Sequence, residues 1–259
     1  MMKQLLSIYT AELLKLKRSI AFLLSLLIPI LLTTLIIFMM LDDGLDTYNK
    51  EKFFRMTSST FSIWSIMVFP LFLSIETGLI SSMETITGQW KYIFSLPLPK
   101  WKVLFAKWLV LLTVAFIAHA LIVMLYAGSF PFLQLFAPQV VYTSYFSIME
   151  FAGFLGLLCI TSIGVISIHF VFSLFMPGLV GNIGLGISAT TLALGFTWGI
   201  NVNGLLLELF PWTTALSSFA QYMELEVVLN PEIAAIISLC TAALLLIPGI
   251  FIFSRKEIL

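Results

Sequence analysis

Long apolar runs alternate with short polar interruptions along the chain, and their spacing sets out its elements. Residues 2–18 place Leu5, Ile8 or Tyr9, Leu13 and Leu16 at helical spacing, with Lys3, Gln4, Glu12, Lys15 and Lys17 mostly elsewhere on the wheel, so an amphipathic helix is predicted. Its basic face suits a place flat in an anionic cytoplasmic interface; the same pattern fits a solvated extension of the first span. Residues 20–41 are apolar and cover about 33 Å as a helix, enough for a first crossing. The run is too long for the apolar core of a signal peptide, and MMLDDG at its end holds no small-x-small cleavage pattern. Pro29 predicts a kink, with Thr33 and Thr34 placed to take up freed backbone groups. A polar loop of mixed sign follows, from Asp42 as far as Arg55.

The second run, 57–82, contains Pro70 and Glu76. A charged carboxylate costs about 3 kcal/mol at the bilayer centre, so Glu76 is expected to face protein, water or the interface. It either lines a substrate path, or lies close enough to the headgroups to be solvated or paired with a loop lysine. A third run, 108–127, contains His119, read as neutral and hydrogen-bonded to a neighbouring helix in preference to a ligand or proton relay. Residues 128–145 read as an uncharged outer loop with Pro131 and Pro138. Residues 146–200 hold no Lys or Arg, and their helical rise of about 80 Å allows crossings at 146–170 and 178–200 with a turn near 172–178. A single crossing with a re-entrant segment would send Arg255 and Lys256 to the other side. Gly178, Gly181, Gly184 and Gly186, and the Gly195 and Gly199 pair, read as positions of close helix approach. Residues 201–232, with Glu208, Glu224, Glu226, Glu232 and the break at Pro211 and Trp212, predict short interfacial or re-entrant helices at the outer face. The last crossing is 233–253. The fold class is therefore an all-α polytopic membrane protein: one transmembrane domain over 1–259 with six transmembrane helices.

Composition agrees: 60% of the residues are hydrophobic and 10% charged, against about a quarter charged in soluble domains. The formal net charge is zero, which leaves no basic surface for nucleic acid. Cys159 and Cys240 lie in apolar runs without a CxxC or a nearby His, which speaks against a disulfide framework or a metal site. Lys and Arg decide the orientation. Ten lie in the amino-terminal segment, the 84–107 stretch and the carboxyl terminus, while Lys50, Lys52 and Arg55 lie on the opposite side. Both termini are then cytoplasmic. There is no internal repeat, and no loop is long enough to bury a core of its own.

Catalytic patterns are missing: there is no GxxxxGK[ST] phosphate loop, no HExxH and no GxSxG. The informative stretch is 84–107, ETITGQWKYIFSLPLPKWKVLFAK. A short interfacial helix is predicted at 91–96, then a rigid bend at Leu-Pro-Leu-Pro and a return to the membrane through Trp101, Lys102 and Lys107. A proline-stiffened loop transmits a push better than a slack one.

The pattern of Glu84, Trp90-Lys91, Ser95-Leu96-Pro97-Leu98-Pro99-Lys100, Lys102 and Lys107 resembles the cytoplasmic loop of ABC-2 type permease subunits, nearest the lantibiotic-immunity and bacteriocin-export group. AELLKLKRS at 11–19 is similar to the interfacial elbow helix of that family, and Phe210-Pro211-Trp212 fits the same group. One departure is that Thr85, Ile86, Thr87 and Gly88 stand where the family usually has polar or basic residues. The resemblance implies that the region 89–98, between the second and third spans, acts as a coupling helix seated in a groove of a separate ATP-binding subunit. Glu84, Gln89, Trp90, Lys91, Leu96, Pro97, Pro99, Lys100 and Lys102 would form that contact, and Lys15, Lys17 and Arg18 would belong to the elbow. It further implies a second permease subunit, identical or paralogous, and surrounding membrane lipid. ATP and Mg would be bound by the partner and no cofactor by this chain, which would not itself be an enzyme. The cargo would be an amphipathic peptide such as a lantibiotic, expelled from a bacterial cytoplasmic membrane in self-immunity or antibiotic resistance. Asp42, Asp43, Asp46, Glu224 and Glu226 either attract such a cation or follow from ordinary charge bias. Competing readings are an ion-coupled secondary transporter using Glu76 and His119, a non-transporting scaffold or sensor, and an intramembrane enzyme.

Overall fold

A short amphipathic helix, α1 (Met2–Leu16), precedes the first long apolar helix, α2 (Ile20–Asp42). The computed structural model describes residues 2–17, 19–42, 48–138, 141, 144–199, 209–220 and 230–255. No strand occurs among them, and six helices are long and apolar enough to cross a membrane. Arg18, Asp43, Asp46, Glu208, Glu224, Glu226 and Lys256 lie outside the described residues.

The second crossing is one rod in three parts: α3 (Lys50–Ser62), a π-helical turn (Ile63–Val68) and α4 (Phe69–Ile86). Pro70 has no amide to give to the preceding turn, and the wider π turn just before it takes up that loss. The rod starts inside the predicted polar loop. Asn49 caps it by accepting the Lys52 amide at 2.9 Å, and Phe53 is buried among Phe130, Tyr145 and Phe146. A hydroxyl pair, Thr57 with Tyr126 at 2.7 Å, joins the rod to the segment that carries Phe130.

After α5 (Gln89–Ser95), α6 (Lys100–Phe136) also overruns its predicted span and continues through Pro131. Residues 128–136 are therefore helix where a loop is predicted. An apolar window marks bilayer thickness, whereas these ends are held by aromatic contacts beyond it.

α7 (Ile148–Phe175) begins with a capping box in which Ser147 and Glu150 satisfy each other's amides. The chain turns at Gly178, whose φ of +125° suits glycine alone, into α8 (Leu179–Leu194) and a π-helical turn (Gly195–Gly199). Two membrane-length helices, Ile148–Phe175 and Leu179–Thr197, thus follow one another with the turn inside the predicted 172–178. A 3-10 turn (Thr214–Leu216) leads to α9 (Ser217–Ala220), and α10 (Pro231–Arg255) is the last crossing.

Small residues set the helix contacts. α10 packs on α7 through Ser238, which accepts the Gly164 amide at 2.8 Å and donates to the Ile160 carbonyl at 2.9 Å. α8 meets α4 where a Cβ on Gly186 would lie 2.6 Å from Ser74. The predicted close-approach glycines divide: a Cβ on Gly184 would meet nothing within 4 Å, and one on Gly181 would make only ordinary contact at 3.8 Å. In α2 the carbonyl that Pro29 leaves without an amide is Ser25's. Thr33 and Thr34 do not take it up, donating instead to the Pro29 and Ile30 carbonyls at 2.8 Å each.

The segment before α9 folds into the bundle. Residues 212–218 are all buried, and the Thr214 hydroxyl donates to the Thr161 carbonyl of α7 at 2.8 Å. The turn packs against α7, α10 and the π turn of the second crossing.

Candidate functional site: the helix between the second and third crossings

Gly88, at φ +65°, ends α4 and turns the chain sharply into α5. Leu96 is extended, as a residue before proline must be, which stops α5 at Ser95, and Pro99 caps α6. The short helix is thus fixed at both ends by backbone geometry. It starts two residues before the predicted 91–96 and ends one residue before it, within the 89–98 region.

Its two faces differ. Gln89, Lys91, Tyr92, Ser95 and Pro97 are exposed. Trp90 points inward and is 7% exposed. Its indole N–H donates to Thr85 Oγ1 at 3.1 Å, and its ring meets Phe94 at 5.3 Å and Phe253 of α10 at 5.4 Å. The Lys107 ammonium lies 5.6 Å from the ring centroid. One side chain therefore ties α5 to α4, α6 and α10.

Behind Trp90 stand four charges, with Glu12, Glu84 and Lys107 buried and Lys15 exposed at the edge. Lys107 Nζ donates to Glu84 Oε1 at 2.5 Å and to Glu12 Oε2 at 2.7 Å. Lys15 Nζ donates to Glu12 Oε1 at 2.7 Å and reaches Glu84 Oε1 at 3.3 Å. Two lysines face two glutamates, so the group is neutral while it joins α1, α4 and α6. Burial alone would push the Glu12 carboxyl up. The nearby charge of Lys107 and the hydrogen bonds from Lys107 and Lys15 outweigh it and hold the carboxyl below its ordinary range. Burial works against the charged Lys15 ammonium too, but its bonds and charge contacts with Glu12 and Glu84 win and raise it.

The predicted coupling residues fall into two groups. Glu84, Trp90 and Lys102 are buried in the chain, Lys102 donating to Gln4 of α1 at 2.6 Å. Gln89, Lys91 and Pro97 are exposed, while Leu96, Pro99 and Lys100 are half-buried, with the Lys100 ammonium 4.8 Å from the Phe94 ring centroid. Among the predicted elbow residues, Lys15 joins the cluster and Lys17 is exposed. Glu12 corrects the sequence reading, since it shares the buried face of α1 with Ile8 and Leu16. Its signal was available: it lies four residues from each of them, at the level where Glu84 and Lys107 end their apolar runs.

Glu76 is fully buried, and neither carboxylate oxygen has a hydrogen-bond partner among the described residues. It faces protein and pairs with no described lysine. His119 has the hydrogen-bonded setting predicted for it. The Trp64 indole, which can only donate, gives its N–H to Nδ1 at 3.0 Å, so Nε2 carries the proton and donates to Ser162 Oγ at 3.0 Å. The ring is thereby tied to the second and fourth crossings. His169, on α7 beside Trp212 at 5.7 Å between ring centroids, has no hydrogen-bond partner among the described residues. No cluster of three metal-binding side chains occurs among the described residues.

Residues 8–189 match the family described as ABC-2 family transporter protein. That range runs from α1 through the helix just described and into α8. No curated protein and no solved structure matches the chain.

Proposed function

This chain belongs to the ABC-2 transporter family, whose members are membrane subunits without an ATPase of their own, and we propose that it is the permease of an exporter driven by a separately encoded ATP-binding subunit. The observation that carries this reading is the two-faced α5. Its outer face, Gln89, Lys91 and Tyr92, is free to seat in a partner, and its inner face is fastened by Trp90 to three other helices. ATP and magnesium would be held by that partner. Closure of two such subunits on two permease chains presses on α5, and Trp90 passes the push to α4, α6 and α10. α1, an elbow at the cytoplasmic interface, moves with them because Glu12 is clamped to Lys107.

The protein would reside in the cytoplasmic membrane with both termini inside, and the buried 212–218 segment would be a re-entrant turn near the outer end. For the cargo, an amphipathic cationic peptide such as a lantibiotic remains the proposal, with self-immunity as its purpose. Glu76, fully buried in this arrangement, is the acidic position that would meet it once the spans rearrange.

The test is co-purification with an ATP-binding subunit in lipid, followed by ATPase and peptide-efflux assays. Tyr92→Ala and Lys91→Ala should weaken subunit association. Trp90→Ala should leave association in place and lower efflux per ATP hydrolysed, and Glu76→Gln should lower efflux with ATPase activity retained. Failure of any ATP-binding subunit to associate sinks the exporter reading, and full efflux in the Trp90 variant removes its transmitting role.

A further inference from the structure

We infer that the cytoplasmic ends of α6 and α10 form a binding groove for one anionic phospholipid. Between them lies an open groove of about 470 Å³, within the usual size of a ligand site. Trp101 and Phe105 form one wall, Leu246, Ile250 and Phe251 the other, and Arg255 stands at the mouth. α10 packs chiefly on α7 and touches α6 lightly, which is why this flank stays open.

Three observations select the occupant. Depth comes first: the helical rise from Leu246 to Arg255 is about 14 Å, close to one leaflet of a hydrocarbon core about 30 Å thick. A groove of that depth, apolar along its length, fits an acyl chain of the inner leaflet. Charge comes second: the Arg255 guanidinium lies 3.9 Å from the Phe251 ring centroid, folded over the mouth of the groove. It makes no ion pair among the described residues, and no acidic side chain lines the groove. A planar guanidinium in that position matches a phosphate. Third, Trp101 is 44% exposed at the same end, where an indole with one apolar side and one N–H favours the headgroup zone. A cationic cargo would be repelled by Arg255, and a second copy docked by the same face would bring two Arg255 side chains together.

The bound lipid would brace the face of α10 beside Phe253, which meets Trp90. The site requires only that α10 crosses the membrane, so it stands or falls separately from the exporter reading.

The experiment reconstitutes the full chain in phosphatidylcholine nanodiscs. These are doped with phosphatidylglycerol or phosphatidylcholine carrying a diazirine in the acyl chain, and crosslinks are mapped by peptide mass spectrometry. The phosphatidylglycerol probe should label 101–105 and 246–251 about fivefold more than the phosphatidylcholine probe, the ratio one basic residue near the surface provides. Arg255→Gln should bring the two probes level, Arg255→Lys should keep the preference, and Leu246→Phe with Ile250→Phe should reduce labelling by both. Equal labelling in the wild type would mean an unselective lipid annulus and overturn the proposal. So would an unchanged preference in Arg255→Gln, or disulfide crosslinking between two copies carrying Ile247→Cys in a chain with Cys159 and Cys240 replaced.

Discussion

At the scale of single residues, Lys107 is the centre. It holds Glu12 and Glu84 at once and faces the Trp90 ring. Removing one partner of a buried ion pair strands the other and costs about 3–5 kcal/mol, whereas replacing both by apolar groups is near neutral. Lys107→Met should therefore lower the melting temperature in detergent sharply. Adding Glu84→Leu should recover most of the loss, because Glu12 and Lys15 remain as a balanced pair. A double variant no more stable than the single one would mean that the cluster is not coupled as the distances indicate. These pairings were not legible in the sequence. A one-dimensional pattern does not show that α1 folds back on α6, which is what brings Glu12 to Lys107 and Gln4 to Lys102. His119 was legible, since a lone imidazole on an apolar helix has few ways to be satisfied, and here Trp64 and Ser162 satisfy it.

At the scale of elements, the tightest contact is α8 on α4. A Cβ on Gly186 would stand 2.6 Å from both Cβ and Oγ of Ser74, too close for a small adjustment. Gly186→Ala should push the two helices apart and lower thermal stability or yield of folded protein. Ser74→Gly in the same chain should restore it by vacating both atoms, and a harmless Gly186→Ala would show that the helices stand further apart. The glycine-rich run announced close packing, but the choice of Gly186 over Gly184 depends on which face of α8 meets α4. Helix ends were the least legible feature. Lys50, Lys52 and Arg55 read as loop because they are charged, yet the helix they begin is anchored by Phe53 in an aromatic group from α6 and the chain before α7.

For the whole molecule, six crossings were readable because each needs about 20 apolar residues and the polar breaks are short. The even number puts α5 and the carboxyl end of α10 on one side and the start of α3 on the other. In a chain with Cys159 and Cys240 replaced, a cysteine at Tyr92 should resist a membrane-impermeant thiol reagent added to intact cells, while one at Asn49 should react. The reverse pattern would invert the orientation drawn from the basic residues.

The π turn between α3 and α4 also has a mechanical consequence. It lies within a continuous rod whose arm toward α5, Phe69–Ile86, is about 26 Å long and whose arm toward Asn49, Lys50–Ser62, is about 18 Å. Trp64, buried in that turn and bonded to His119, stands where a fulcrum would. A rod pivoting there acts as a see-saw, so a sideways step at the α5 end swings the Asn49 end by about two-thirds as much in the opposite sense.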